Sequence, residues 1–171
     1  LLVCTSCAPV YVPNLRNSPM FTQGGEFQLN VQGGNGLEGQ TALSLTKNIG
    51  VIGNFSYIDR DRISEEDFHR HTFYEGGVGY FYNDDDMVLE LFAGYGKGEG
   101  ASSNEWLGVD GSSGKYERYF VQPGFGFNKR LFHFAFVPRV SIVDFYEFGD
   151  GALSVPIDED PKVFFVPPFV G

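Results

Sequence analysis

A chain of 171 residues suits one domain, and its 20% charged residues fall below the quarter usual in soluble domains. The net charge of −10 argues against a nucleic-acid partner, because phosphate contacts need clustered Lys and Arg. No run of eighteen apolar residues occurs, so no membrane-crossing helix is predicted. A membrane β-barrel stays open, since its alternating strands average to near-neutral hydropathy.

The chain opens Leu1-Leu2-Val3-Cys4-Thr5-Ser6-Cys7-Ala8. A short apolar run, small residues and then Cys form the pattern of a bacterial lipoprotein signal. Cys7 is the expected lipidation site, because small Ser6 precedes it whereas bulky Val3 precedes Cys4. Residues 1–6 are then expected to be the remnant of a signal peptide. Both cysteines lie within these first residues, so no disulfide can staple the domain. Residues 7–23 carry three prolines and no periodicity, and are expected to be a lipidated tether. Residues 24–171 are expected to be the barrel domain.

From there, period-two alternation dominates. Phe27, Leu29 and Val31 share one face against Glu26, Gln28, Asn30 and Gln32. Strands are predicted over 24–33, 37–47, 50–59, 71–83, 86–98, 114–128, 131–147 and 162–171, with at most a single helical turn at 64–68. Most reach the 9–11 residues of a tilted membrane strand. Connections near 34–36, 47–49, 83–86 and 128–130 are short. Those at 60–70, 99–113 and 148–161 are long and polar, as in barrels with tight periplasmic turns and long external loops. The predicted fold is an all-β antiparallel up-and-down meander β-barrel with about eight strands in this chain, and ten if further strands follow position 171.

One face of these strands is apolar and aromatic: Tyr74, Val78 and Tyr80, then Leu89 and Leu91, then Tyr119 and Val121, then Val140 and Ile142. The opposite face mixes polar residues, aromatics and Gly77, Gly79, Gly94, Gly96, Gly124 and Gly126, as expected where Gly makes room for Phe73, Phe92 and Phe120 in a narrow lumen. Glu75, Glu90 and Arg139 fall mid-strand on that inner face. Buried charges need partners, so an Arg139–carboxylate network is predicted, with Gln122 and Ser141 beside it.

Other chemistry is thin. His69-Arg70-His71 has weak metal-ligand spacing and reads as a solvated loop end. Asp84-Asp85-Asp86 lacks the distal Glu of a calcium loop and reads as a turn. Gly94–Gly100 lacks the Gly-Lys-Ser/Thr ending of a phosphate loop. A Ser-His-Asp site would have to combine Ser102, Ser103, Ser112 or Ser113 with His133. No catalytic residue, metal or cofactor is predicted.

Ser6-Cys7-Ala8-Pro9-Val10-Tyr11-Val12-Pro13-Asn14, Gly76-Gly77-Val78-Gly79-Tyr80-Phe81 and Lys115-Tyr116-Glu117-Arg118-Tyr119-Phe120-Val121-Gln122-Pro123 resemble a family of small, uncharacterised outer-membrane β-barrel lipoproteins of Gram-negative bacteria. The resemblance covers nearly all of the chain. It implies an outer-membrane location, with a lipid-anchored N-terminus on the periplasmic side, and outer-membrane lipid as partner. It carries no catalytic residues. The expected role is structural or interactive. The alternatives are a periplasm-facing lipocalin-like barrel holding a small apolar ligand, and an outer-membrane lipid-modifying enzyme.

Overall fold

The computed structural model describes residues 16–34, 36–62, 67–84, 86–104, 109–129, 132–150, 153–156 and 161–166. Its described residues form one antiparallel sheet and no helix. The strands are β1 (Phe27–Gly33), β2 (Leu37–Ser44), β3 (Ile49–Arg62), β4 (Asp67–Asp84), β5 (Met87–Asn104), β6 (Val109–Lys129), β7 (Phe132–Phe136), β8 (Arg139–Asp150), β9 (Leu153–Pro156) and β10 (Lys162–Val166). Each strand from β1 to β6 pairs with the next. Both β7 and β8 pair with β6, and both β9 and β10 pair with β8. The ten segments therefore occupy eight positions of an up-and-down meander.

The predicted strand over 131–147 is one strand in two pieces. Val137 and Pro138 separate β7 from β8, because proline has no N–H to give a ladder. The three expected long loops are corrected as well. β3 and β4 pair as far as Arg62 opposite Asp67, β5 and β6 as far as Asn104 opposite Val109, and β8 and β9 as far as Asp150 opposite Leu153. Polar side chains do not stop a ladder, since its bonds are made by the backbone. Cross-strand partners such as Asp59 and Arg70, 3.1 Å apart, continue the pairing beyond the apolar belt. The position expected to hold a helical turn falls partly on residues 63–66, outside the described ones; Asp67 and Phe68 are in β4.

The sheet curls around one face. Glu75 of β4 meets Arg118 of β6 and Arg139 of β8 across the enclosed space. No ladder joins β1 to β10 among the described residues, so hydrogen bonds do not close the sheet there. The predicted alternation holds in β2 to β8. Ala42, Ile52, Asn54, Phe73, Glu75, Phe81, Glu90, Phe92, Phe120, Gln122, Arg139 and Ser141 are buried inside, whereas Phe55, Tyr74, Val78, Leu91, Val121, Val140 and Ile142 are exposed outside. β1 differs, being exposed on both faces.

Small residues set the bore. A Cβ on Gly94 would lie 2.3 Å from the Gly76 carbonyl oxygen and 2.4 Å from the Phe120 ring, and one on Gly79 would lie 2.4 Å from Phe92. These glycines let large rings lie flat across the lumen.

Residues 16–22 depart from the expected tether. They run into the enclosed space, where Asn17, Pro19 and Phe21 are buried. Phe21 is fully buried and packs on Phe81 and Phe92, with centroids 5.2 and 6.5 Å away. Asn17 Nδ2 donates to the Thr41 carbonyl at 2.8 Å. Met20 has φ of 48°, a left-handed value that costs energy for a side chain of its size. Gly25, at φ of 85°, then turns the chain out into β1. We call residues 16–22 the plug.

Candidate functional site

The chemistry gathers in the middle of the lumen. Alternation in β4 points Glu75 inward with Phe73. In β6 the same spacing of two turns Tyr116, Arg118, Phe120 and Gln122 inward, and Arg139 leads β8 just after the Pro138 break. Glu75 is their common acceptor. Arg118 donates to it through Nε at 3.0 Å and through Nη2, Arg139 through Nη1 at 2.9 Å, and Asn54 through Nδ2 at 2.6 Å. Arg139 Nε reaches Gln122 Oε1 at 2.8 Å, and Gln122 Nε2 donates to the Asn17 carbonyl of the plug at 2.8 Å.

The Glu75 side chain is fully buried, and those of Arg118 and Arg139 are 2% exposed. Such charges are tolerated only when bonded on several sides. The guanidinium planes add stacking, Arg118 over Phe73 and Arg139 over Phe120, each at 4.2 Å from the ring centroid.

Of the predicted network, Glu75, Gln122 and Arg139 are brought together. Ser141 is buried on the same strand as Arg139. Glu90 stands apart, a correction with a simple cause. Register sets it opposite Phe81 and Gly124, whereas Glu75 lies opposite Asn54 and Gly96. Glu90 instead holds the plug, its Oε1 accepting the Phe21 N–H at 2.9 Å. Arg118 is the residue that sequence reasoning missed. Its signal was present, because it shares the inward phase of Phe120 and Gln122. The plug carried no such signal, for it has no period to read.

Above the network lies an aromatic stack. His71 is 1% exposed, not a solvated loop end. Its Nε2 lies 2.9 Å from Tyr116 Oη, and its ring stacks on Phe73 and Tyr116. β4 pairs well past His71, which draws this position into the barrel wall. Asp84 ends β4 and Met87 begins β5, as expected of a turn there. Gly94–Gly100 lies within β5. Ser102 Oγ and Ser112 Oγ face each other at 3.5 Å near one end of the sheet. His133 pairs with Asn128 near the other, about 50 Å from Ser112 along β6, so these serines and His133 form no common site. Cys7 and residues 1–6 lie outside the described residues.

The fold and its interior define a class: an antiparallel meander with an apolar outer face and a bonded, charged lumen. No family model, no curated protein and no solved structure matches the chain.

Proposed function

We propose that this chain is an outer-membrane β-barrel lipoprotein of the kind it resembles, anchored through Cys7 and spanning the bilayer, with a structural or interaction role. The observation that carries this reading is the reversed distribution of apolar surface. Among the described residues, more large apolar side chains are exposed than buried, while Glu75, Glu90, Arg118 and Arg139 are enclosed. A water-soluble barrel buries its apolar face. Isolated apolar side chains on a soluble surface need no explanation, but a continuous wall of them does.

The edges of that wall are aligned. Tyr74, Lys97, Glu117 and Asp144 stand side by side on β4, β5, β6 and β8, and this is the row at which outward charge begins. Lys97 Nζ and Glu117 Oε1 pair there at 2.8 Å. Between this row and Tyr82 the outward positions of the four strands are apolar, tyrosine or glycine. That stretch of β4 is about 27 Å long, enough when tilted for most of an outer-membrane apolar band. Strands of 18 and 21 residues then carry the hairpins beyond it.

Spin labels test the orientation. In vesicles, a label at Leu91 or Val121 will be relaxed strongly by a lipid-soluble agent, and one at Ser44 or Asn54 will be protected. The reverse pattern would make the chain a tethered soluble barrel with an apolar core. Mass spectrometry of protein from native membranes will find acylated Cys7 as the first residue. An unmodified Cys7 would remove the anchor from the proposal.

A further inference from the structure

The row at which outward charge begins is followed by a second one. One outward position further from the apolar belt, Thr72, Glu99, Lys115 and Glu147 again stand side by side on β4, β5, β6 and β8. Lys115 Nζ pairs with Glu147 Oε2 at 2.8 Å. Glu99 is directly opposite both Thr72 and Lys115, but the lysine is held from its other side. Beyond this row comes a third, in which Arg70 is followed across the sheet by small Ala101 and Ser113. The residues between the two rows on β5 and β6 are Gly100 and Gly114. A groove of about 300 Å³ therefore crosses the outer face here, with Tyr57 at its β3 end. Its charges are open to the outside: the Arg70 and Lys115 side chains are 59% and 45% exposed, and Glu99 is exposed as well.

Below the groove the apolar belt has a dent. Gly53 and Gly76 are outward-facing and directly opposite each other, between the Phe55–Tyr74 pair above and the Val51–Val78 pair below. A Cβ on Gly76 would find nothing nearer than the Ile52 carbonyl oxygen at 3.9 Å, so the space outside is open. Along β4, Thr72 and Gly76 are about 13 Å apart. Groove and dent thus lie on one line running down the outer wall.

We propose that they seat one phosphatidylethanolamine of the bilayer, its phosphate on Arg70 and Thr72, its ammonium on Glu99 and an acyl chain over Gly53 and Gly76. The inference rests on the membrane-spanning reading, which sets these rows at headgroup depth. The order of groups decides the ligand. Read upward along β4 and then across to β5, the wall offers an apolar dent, a tyrosine, a hydroxyl with a guanidinium, and a carboxylate. That is the order of acyl chain, ester linkage, phosphate and amine in this lipid. Directly opposed residues such as Thr72 and Glu99 have Cβ atoms about 5 Å apart, the separation of phosphate and amine within one head. Guanidinium and phosphate form strong charge-assisted bonds, and an ammonium brings three N–H groups to the carboxylate. A choline head has the charge without the N–H groups, and a glycerol head has no charge to set against Glu99.

The test uses the full chain in phosphatidylcholine nanodiscs, scored first for insertion. Phosphatidylethanolamine then replaces the host lipid stepwise while backbone amide shifts are followed. Saturable shifts should centre on Arg70–Thr72, Gly76 and Glu99–Ala101. Phosphatidylglycerol should bind there at least tenfold more weakly. Glu99→Gln and Arg70→Gln should each weaken phosphatidylethanolamine at least tenfold. Gly76→Leu, which fills the dent from outside the fold, should weaken it at least fivefold. Soluble phosphoethanolamine added to the host nanodiscs should not saturate the same amides. Insertion with shifts spread evenly over the apolar belt, equal binding of phosphatidylglycerol, or unchanged binding by Glu99→Gln would overturn the site alone. Saturation by soluble phosphoethanolamine, or unchanged binding by Gly76→Leu, would overturn the bilayer lipid as its occupant. Failure to insert would overturn the membrane reading and the site with it.

Discussion

Glu75→Leu will destabilise the folded barrel by about 3–5 kcal/mol, read from urea titrations in lipid vesicles. The size follows from what is left behind. Glu75 accepts from Arg118, Arg139 and Asn54, and none of the three donors has water within easy reach. Removing the carboxylate leaves two guanidinium groups in a site built around it. The control is the simultaneous replacement of Glu75, Arg118 and Arg139 by Leu, Leu and Met. Exchanging all the charges for apolar groups of similar shape is often close to neutral, so this variant should recover most of the loss. A Glu75→Leu variant within about 0.5 kcal/mol of the parent, the scatter of ordinary surface substitutions, would mean that the network is open to water.

The second large effect separates two kinds of crowding. Gly98→Ala and Gly94→Ala should each cost about 1–3 kcal/mol, the usual range for an overpacked interior. Their rescue should differ. The three nearest atoms to a Cβ on Gly98 would all belong to the Tyr116 side chain, with Cζ at 2.3 Å and Oη at 2.4 Å. Tyr116 is fully buried in the stack with His71 and Phe73 and cannot swing aside. Adding Tyr116→Leu should therefore relieve Gly98→Ala, giving a coupling of about 1 kcal/mol or more in a double-mutant cycle. At Gly94 the nearest atom is the Gly76 backbone oxygen at 2.3 Å. Phe120→Leu cannot move it, and rescue should be small. Equal rescue at both positions would show that the ring contacts, not the backbone, limit the bore.

How much of this was legible can be judged position by position. The faces of β2 to β8 could be read, because a period of two is set by backbone geometry alone. Leu91 and Glu90 alternate whatever surrounds them. The partnership of Glu75 with Arg139 was legible for a different reason: buried charges must find each other, and few were available. Glu90 was misassigned because burial predicts that a partner exists without saying which. Its partner is a backbone N–H of Phe21, a group that every non-proline residue carries and no pattern marks. The hairpin ends were read as loops because composition reports solubility, and a ladder such as Ser102 opposite Ser112 is indifferent to it. The split of the predicted 131–147 strand did have a sign in Pro138, which cannot donate to a central ladder.

The plug has a consequence for the order of events in folding. Arg16 is bonded to the carbonyl of Val137, 121 positions further on, and Asn17 to Gln122, 105 positions further on. Contacts of such separation come only after the intervening chain has been drawn together, and topologies dominated by them fold slowly. Residues 16–22 precede every described strand, yet their seat does not exist until β6 and the start of β8 have arrived. A segment made before the strands that seat it is thus the last to settle, and its settling marks the moment at which the lumen is finished.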